Sequence, residues 1–198
     1  MVIGVTGTSG SGKTVVSNIL KEKLACNLVN ADEIAKRLAK KGNKYYDEIV
    51  ECFGQDILDE SEEINRRKLA STIYEDEQKR EKLNNITNIY VVEEIKKQAF
   101  ELEEQGIVII DVPRLIESGL NKICDIVISV LADSDIKLAR ICRRDNIEKS
   151  VAIKRLAIQP EEEFYIENSN YIIENNDETV NEQIDVIVRF IKEGEKHV

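Results

Sequence analysis

The hydrophobic pattern at the start of the chain predicts a strand, a glycine-rich turn and a helix. Residues 2–6 read VIGVT, a short apolar run with β-branched residues that is typical of a buried strand. Glycines interrupt the run, and apolar residues then recur at helical spacing over residues 13–25. A loop between a strand and a helix start is the context in which backbone N–H groups bind phosphate.

Four further apolar runs predict strands, and the segments between them predict helices. The predicted strands are residues 27–31, 106–113, 125–131 and 171–173. Helical patterns fill residues 32–41 and 134–159, and another closes the chain from residue 180. Five strands that alternate with helices imply a parallel sheet covered on both faces, which is a three-layer α/β/α fold.

The longest strand-free stretch is residues 45–105, which are mostly charged and carry apolar residues at helical intervals. The sequence therefore predicts a single unit whose core consists of residues 1–44, 106–133 and 165–198. A helical insertion occupies residues 45–105, and residues 134–164 form a lid region.

The overall charge narrows the choice of partner. The net charge is −10, so the chain has no broad basic surface with which to neutralise a nucleic-acid backbone. No apolar run approaches the roughly 20 residues that span a bilayer. We expect a cytoplasmic protein that binds neither nucleic acid nor membrane. The only histidine is His197, close to the C-terminus, so a general base must be a carboxylate, a lysine or a tyrosine.

The stretch GTSGSGKT carries the strongest chemical signal. It matches the phosphate-loop pattern GxxxxGK[ST] at Gly7, Gly12, Lys13 and Thr14. Lys13 can reach β- and γ-phosphates, and the Thr14 hydroxyl can bind Mg²⁺. The Asn-Lys-x-Asp base reader of GTP-binding switches and the Leu-Ser-Gly-Gly segment of transporter ATPases are absent from the sequence. Transfer of a phosphoryl group to a small molecule is the reaction that remains.

Two carboxylates are placed where an acceptor would bind. Ligands bind at the carboxyl ends of parallel strands, and Asp32 and Asp111 follow two predicted strands. Asp32 is either the group that takes the acceptor's proton or the N-cap of the next helix. Asp111 either holds Mg²⁺ through water or is a turn residue.

A basic cluster stands out in this acidic chain. It consists of Arg140, Arg143, Arg144, Lys154 and Arg155. Arg140 and Arg144 are four residues apart and so share one helix face. The cluster is either a solvated charged surface or a lid that closes arginines onto phosphates.

Six segments in order resemble the dephospho-CoA kinase family: VTGTSGSGKT, NADEIAKRL, FGQDIL, EINRRKLA, IIDVPRLIESGL and LARICRRDNIEKSVAIKRLAIQ. The resemblance extends over nearly the whole chain. It implies a P-loop kinase with a nucleotide-binding core, a helical acceptor-binding domain and a lid. It also implies ATP and Mg²⁺ as cofactors and transfer of the γ-phosphate to the 3′-hydroxyl of dephospho-CoA, the last step of coenzyme A synthesis.

The resemblance also implies roles for individual residues. Asp32, Lys13 and Arg140 are the expected catalytic residues. Asp32, Arg66 and Asp111 are expected to lie at the acceptor, and Thr14 and Asp111 (through water) at the metal. The expected nucleotide-binding residues are Thr8, Ser9, Gly10, Ser11, Gly12, Lys13, Thr14, Arg140, Arg144 and Arg155.

Some segments depart from the family pattern. The insertion reads NNITNIYVV where the family usually carries a His-Pro pair, and Pro160 is followed by glutamates instead of basic residues. Two alternatives therefore stay open. One is a kinase of similar fold that acts on another acceptor, such as a nucleoside or nucleotide. The other is a nucleotide-binding protein with little catalysis.

Overall fold

The computed structural model describes residues 1–74 and 76–194, and His197 lies outside them. The strands are β1 Val2–Thr6, β2 Asn27–Asn30, β3 Val108–Asp111, β4 Ile126–Leu131 and β5 Tyr171–Glu174. The helices are α1 Lys13–Leu24, α2 Ala31–Leu38, α3 Lys44–Phe53, α4 Arg66–Tyr74, α5 Glu77–Thr87, α6 Glu93–Glu103, α7 Ser134–Asp145, α8 Lys149–Ala157, α9 Glu162–Glu167 and α10 Val180–Gly194.

The five strands form one sheet in the order β2-β3-β1-β4-β5. β1 is central, and it pairs in parallel with both β3 and β4. In this register Val5 lies opposite Asp111, so the end of β1 and the end of β3 meet at the same edge. The predicted five-stranded α/β sheet is confirmed, and its carboxyl edge is where the glycine-rich loop begins.

The main core lies between the sheet and two helices. Ile3 and Val5 of β1 are fully buried, and they belong to one apolar cluster with Val16 and Leu20 of α1 and Ile184 of α10. Burial of side chains of this size stabilises the fold by about 1.5–3 kcal/mol each. This packing fixes α1 against the sheet and thereby fixes the loop that precedes it.

The chain divides into two compact units. One unit contains residues 1–29 and the chain from Gln98 onward, and the other contains residues 30–97. The second unit consists of α2 to α5 and the first part of α6. It begins at Asn30, ahead of residue 45 where the sequence places the start of the insertion. The limits of the insertion and of the lid as functional parts stay a prediction.

Two local features of the fold are not predicted by the hydrophobic pattern. The predicted helical region 134–159 consists of two helices, because Asn146 ends α7 in a left-handed conformation with φ of 50°. In the second unit, a turn of π-helix at Asn88–Val92 joins α5 to α6. Within the described residues, no helix combines the length and the apolar character needed to cross a membrane.

Candidate active site

The two glycines of the phosphate-loop pattern, Gly7 and Gly12, have backbone conformations that favour glycine. Gly7 has φ of 144° and Gly12 has φ of 88°. A Cβ atom on Gly7 would lie 2.2 Å from the carbonyl oxygen of Val130, and one on Gly12 would lie 2.0 Å from Nδ2 of Asn175. The glycines of the motif are therefore explained by conformation and by close contact with β4 and with the residue after β5.

The loop and the start of α1 present a group of open donors. The N–H groups of Gly10, Gly12, Lys13 and Thr14 donate to no acceptor among the described residues. The first N–H groups of a helix have no partner within the helix, and the helix dipole makes this end electropositive. Such an arrangement binds an anion, and phosphate is the anion that the motif predicts.

Lys13 and Asp111 form an ion pair at this edge of the sheet. Nζ of Lys13 lies 2.5 Å from Oδ1 of Asp111, and the two side chains are 10% and 0% exposed. The pair arises because Lys13 begins α1 and Asp111 ends β3, next to β1. The structure thus brings together two residues that the sequence predicts for the phosphate and metal site.

Arg140 contacts the loop from its carbonyl side. Its guanidinium lies 3.4 Å from the carbonyl oxygen of Gly10, 3.3 Å from that of Ser11 and 3.5 Å from Oδ1 of Asn175. Nδ2 of Asn175 donates to the same Ser11 oxygen at 2.7 Å. These hydrogen bonds hold the carbonyl groups of Gly10 and Ser11 on one side of the loop. This favours a loop conformation in which the N–H groups point to the opposite side.

Asn175 is a loop contact that the sequence motif does not predict. Its position after β5 carries no phosphate-binding signal, and 164 residues separate it from Ser11. Only the sheet order, which brings β5 next to β4, explains how it reaches the loop.

The other two predicted arginines, Arg144 and Arg155, lie at a carboxylate within residues 134–164, the predicted lid region. Arg144 donates through Nε and Nη2 to Asp145 at 2.7 and 2.9 Å, and Arg155 of α8 bonds to Oδ2 of Asp145. The hydrogen bonds from Arg144, followed by the charges of both arginines and the bond from Arg155, hold the pKa of Asp145 below its ordinary value. Arg140 is therefore at the loop, whereas Arg144 and Arg155 are joined through Asp145.

Asp32 is not the N-cap of its helix. The N-cap of α2 is Asn30, whose side-chain oxygen accepts from the N–H of Glu33 at 3.0 Å. Asp32 is the second residue of α2 and is exposed. The capping alternative for Asp32 is therefore wrong, because Asn30 already satisfies that helix end.

The second unit contains a cavity of about 410 Å³ that both Asp32 and Arg66 line. Its other polar lining residues are Tyr45 and Tyr74, and its apolar lining includes Ile49, Ile64, Leu69, Ile73 and Leu83. Tyr45 is buried, and its hydroxyl lies 3.1 Å from that of Thr87. The two predicted acceptor residues of this unit thus lie in one largely apolar cavity, which is the usual character of a small-molecule site.

Comparison with known proteins decides the family. A model of the dephospho-CoA kinase family matches residues 1–181. The chain belongs to the dephospho-CoA kinase family. The dephospho-CoA kinase of Fusobacterium nucleatum is 39% identical over 176 residues, which cover 89% of this kinase and 90% of the relative. That of Listeria innocua is 35% identical and covers 96% of both chains.

Solved structures agree with this kinase in fold. The dephospho-CoA kinase from Campylobacter jejuni has a TM-score of 0.69 at 22% identity and covers 98% of both chains. The protein TT1252 from Thermus thermophilus has a TM-score of 0.78 at 20% identity and covers 97% of both chains. A shikimate kinase from Acinetobacter baumannii has a TM-score of 0.57 at 18% identity and covers 98% of this kinase. The fold is therefore shared among kinases, and the family match is the finding that separates them.

Proposed function

We propose that this kinase transfers the γ-phosphate of ATP to the 3′-hydroxyl of the dephospho-CoA ribose. The observation that carries the proposal is a cavity that both Asp32 and Arg66 line, in a chain that belongs to this family. A proton acceptor and a cation in one pocket suit an acceptor that carries both a hydroxyl and phosphate groups. The reaction is the last step of coenzyme A synthesis.

On the nucleotide side, the open N–H groups of the loop support binding of the ATP phosphates. In this proposal Lys13 neutralises the negative charge that shifts between the β- and γ-phosphates during transfer. Arg140 holds the loop from its carbonyl side, and Thr8, Ser9 and Ser11 complete the loop. Arg144 and Arg155 supply positive charge from the lid region.

We infer that Mg²⁺ accompanies the nucleotide. The residues fit this ion, since Thr14 is exposed at the start of α1 and the Asp111 carboxylate ends the adjoining strand. Both offer the oxygen ligands that Mg²⁺ prefers, with Asp111 acting through water. Thr14 and, through water, Asp111 would hold the ion, which would supply positive charge to the phosphates.

On the acceptor side, Asp32 accepts the proton of the attacking hydroxyl and orients that hydroxyl toward the γ-phosphate. Arg66 binds an anionic phosphate of the acceptor. The apolar wall of the cavity offers contact to apolar parts of the acceptor. A net charge of −10 and a small-molecule acceptor support a cytoplasmic enzyme with no nucleic-acid or membrane partner.

An ADP-release assay with the purified protein tests the proposal. Dephospho-CoA should be the preferred acceptor in a panel that includes nucleosides, nucleotides and shikimate. Absence of turnover with dephospho-CoA, while ATP still binds, would overturn it. Preferred turnover of a nucleoside would instead support the kinase with another acceptor, and ATP binding without any transfer would support the nucleotide-binding protein.

Arg66→Ala should raise the KM for dephospho-CoA by about 10- to 100-fold, because the variant loses a charge-assisted hydrogen bond to the acceptor. The KM for ATP should stay within about twofold, the scatter expected for an unaffected site. Arg67→Ala is the matched control, since Arg67 is an equally exposed neighbour that does not line the cavity. Equal KM values for the two variants would remove Arg66 from the acceptor site.

A further inference from the structure

Gln159 connects the lid region to the phosphate loop. α8 ends at Ala157, and the N–H of Gln159 donates to the carbonyl oxygen of Leu156 at 3.0 Å. Pro160 follows and prevents the helix from continuing. From this helix end, Oε1 of Gln159 accepts a hydrogen bond from the N–H of Ser9 at 2.9 Å. The two residues are 150 positions apart in the chain.

The N–H that Gln159 binds differs from the other N–H groups of the loop. Gly10, Gly12, Lys13 and Thr14 keep their N–H groups open in the described part of the chain, and these are the groups suited to phosphate. Gln159 leaves them open and holds the loop at Ser9. A side chain that merely occupied the phosphate position would be expected on the open donors instead.

The loop is thus held from two sides, by a residue of α7 and by a residue that follows α8. Arg140 of α7 binds the carbonyl oxygens of Gly10 and Ser11, and Gln159 after α8 binds the N–H of Ser9. The ion pair between Arg155 and Asp145 joins the end of α8 to the end of α7. Movement of α8 relative to the loop therefore has to stretch or break the bond at Ser9.

We propose that Gln159 is a positioning residue that couples the lid region to the phosphate loop. It acts through the N–H of Ser9, so that the open donors of the loop are aligned for the ATP phosphates when α8 is in place. The turnover readout rests on the proposed kinase function, whereas binding of Mg·ATP without acceptor tests the coupling alone.

Gln159→Ala should raise the Kd for Mg·ATP, measured by calorimetry without acceptor, by about fivefold to tenfold, the value of one hydrogen bond. kcat with dephospho-CoA should fall as well, while the KM for dephospho-CoA stays unchanged. Asn170→Ala is the matched control, because Oδ1 of Asn170 also accepts a backbone N–H, that of Val127, at 2.8 Å near the start of β4. Asn170→Ala should lower Tm about as much as Gln159→Ala does, and it should leave the Kd for Mg·ATP unchanged.

Three results would overturn the proposal. Equal Kd values for Mg·ATP in Gln159→Ala and Asn170→Ala would reduce Gln159 to a structural contact. Tighter binding in Gln159→Ala would mean that Gln159 competes with phosphate. In amide hydrogen exchange, Gln159→Ala should speed exchange at Ser9 about tenfold, and Gln159→Glu, which keeps an acceptor oxygen, should restore the protection. Unchanged exchange at Ser9 in Gln159→Ala would be the third contrary result.

Discussion

Lys13→Ala is expected to lower turnover by about 10³-fold, because the variant loses the cation that stabilises charge on the phosphates during transfer. The structure adds a second effect. The Asp111 carboxylate is fully buried against Lys13, and removal of one partner of a buried ion pair costs about 3–5 kcal/mol of unfolding free energy. Turnover measured by ADP release and unfolding in urea separate the two effects.

The double variant Lys13→Met with Asp111→Asn is the control for this prediction. It removes both charges while nearly keeping the side-chain volumes, so its unfolding free energy should lie closer to wild type than that of Lys13→Ala. Its turnover should stay as low as that of the single variant. If Lys13→Ala kept near-native turnover, the assignment of the loop to phosphoryl transfer would be wrong.

The ion pair also shows why the sequence predicts one part of the site better than another. Lys13 follows from a motif of eight consecutive residues, and Asp111 follows from its place at the end of an apolar run. Both signals are local, because glycine conformation, strand burial and strand ends are properties of neighbouring residues. The pairing of strands in the sheet then places Lys13 beside Asp111, so neither segment needs a further sequence signal for this contact.

Contacts between residues that are far apart in the chain have no comparable signal in the sequence. Gln159 and Asn175 reach the loop only after α8 and β5 are in place, and their residue types are compatible with many surface roles. The arginine cluster is evident in the sequence, yet the choice of Asp145 as partner for Arg155 depends on how α7 and α8 meet. Side-chain choices of this kind are decided by tertiary packing.

The start of α2 shows a second limit on what can be predicted from the sequence. Asparagine and aspartate are almost equally good N-caps, and the segment NAD offers one of each two positions apart. The backbone of Asn30 is extended and its side chain binds the N–H of Glu33, so Asn30 is the cap. A difference of two residues lies within the usual uncertainty of a helix boundary, and here it changes the role left for Asp32.

Because Asn30 caps the helix, the structural contribution that remains for Asp32 comes from its position in the first helical turn. An acidic residue there contributes about 0.3–1 kcal/mol through the helix dipole. Glu33 is the next residue, is also acidic and exposed, and does not line the cavity. The two carboxylates thus share a helix end and differ in access to the proposed acceptor site.

Asp32→Asn should therefore lower kcat with dephospho-CoA by at least about 10²-fold, the scale of a positioned general base. The Kd for Mg·ATP should stay within about twofold of wild type, and the unfolding free energy should change by less than about 1 kcal/mol. Glu33→Gln makes the same change in charge one residue away and should keep near-native kcat. Because the stability changes should match, a difference in kcat alone identifies Asp32 as the residue that acts on the acceptor, and equal kcat values would exclude that role.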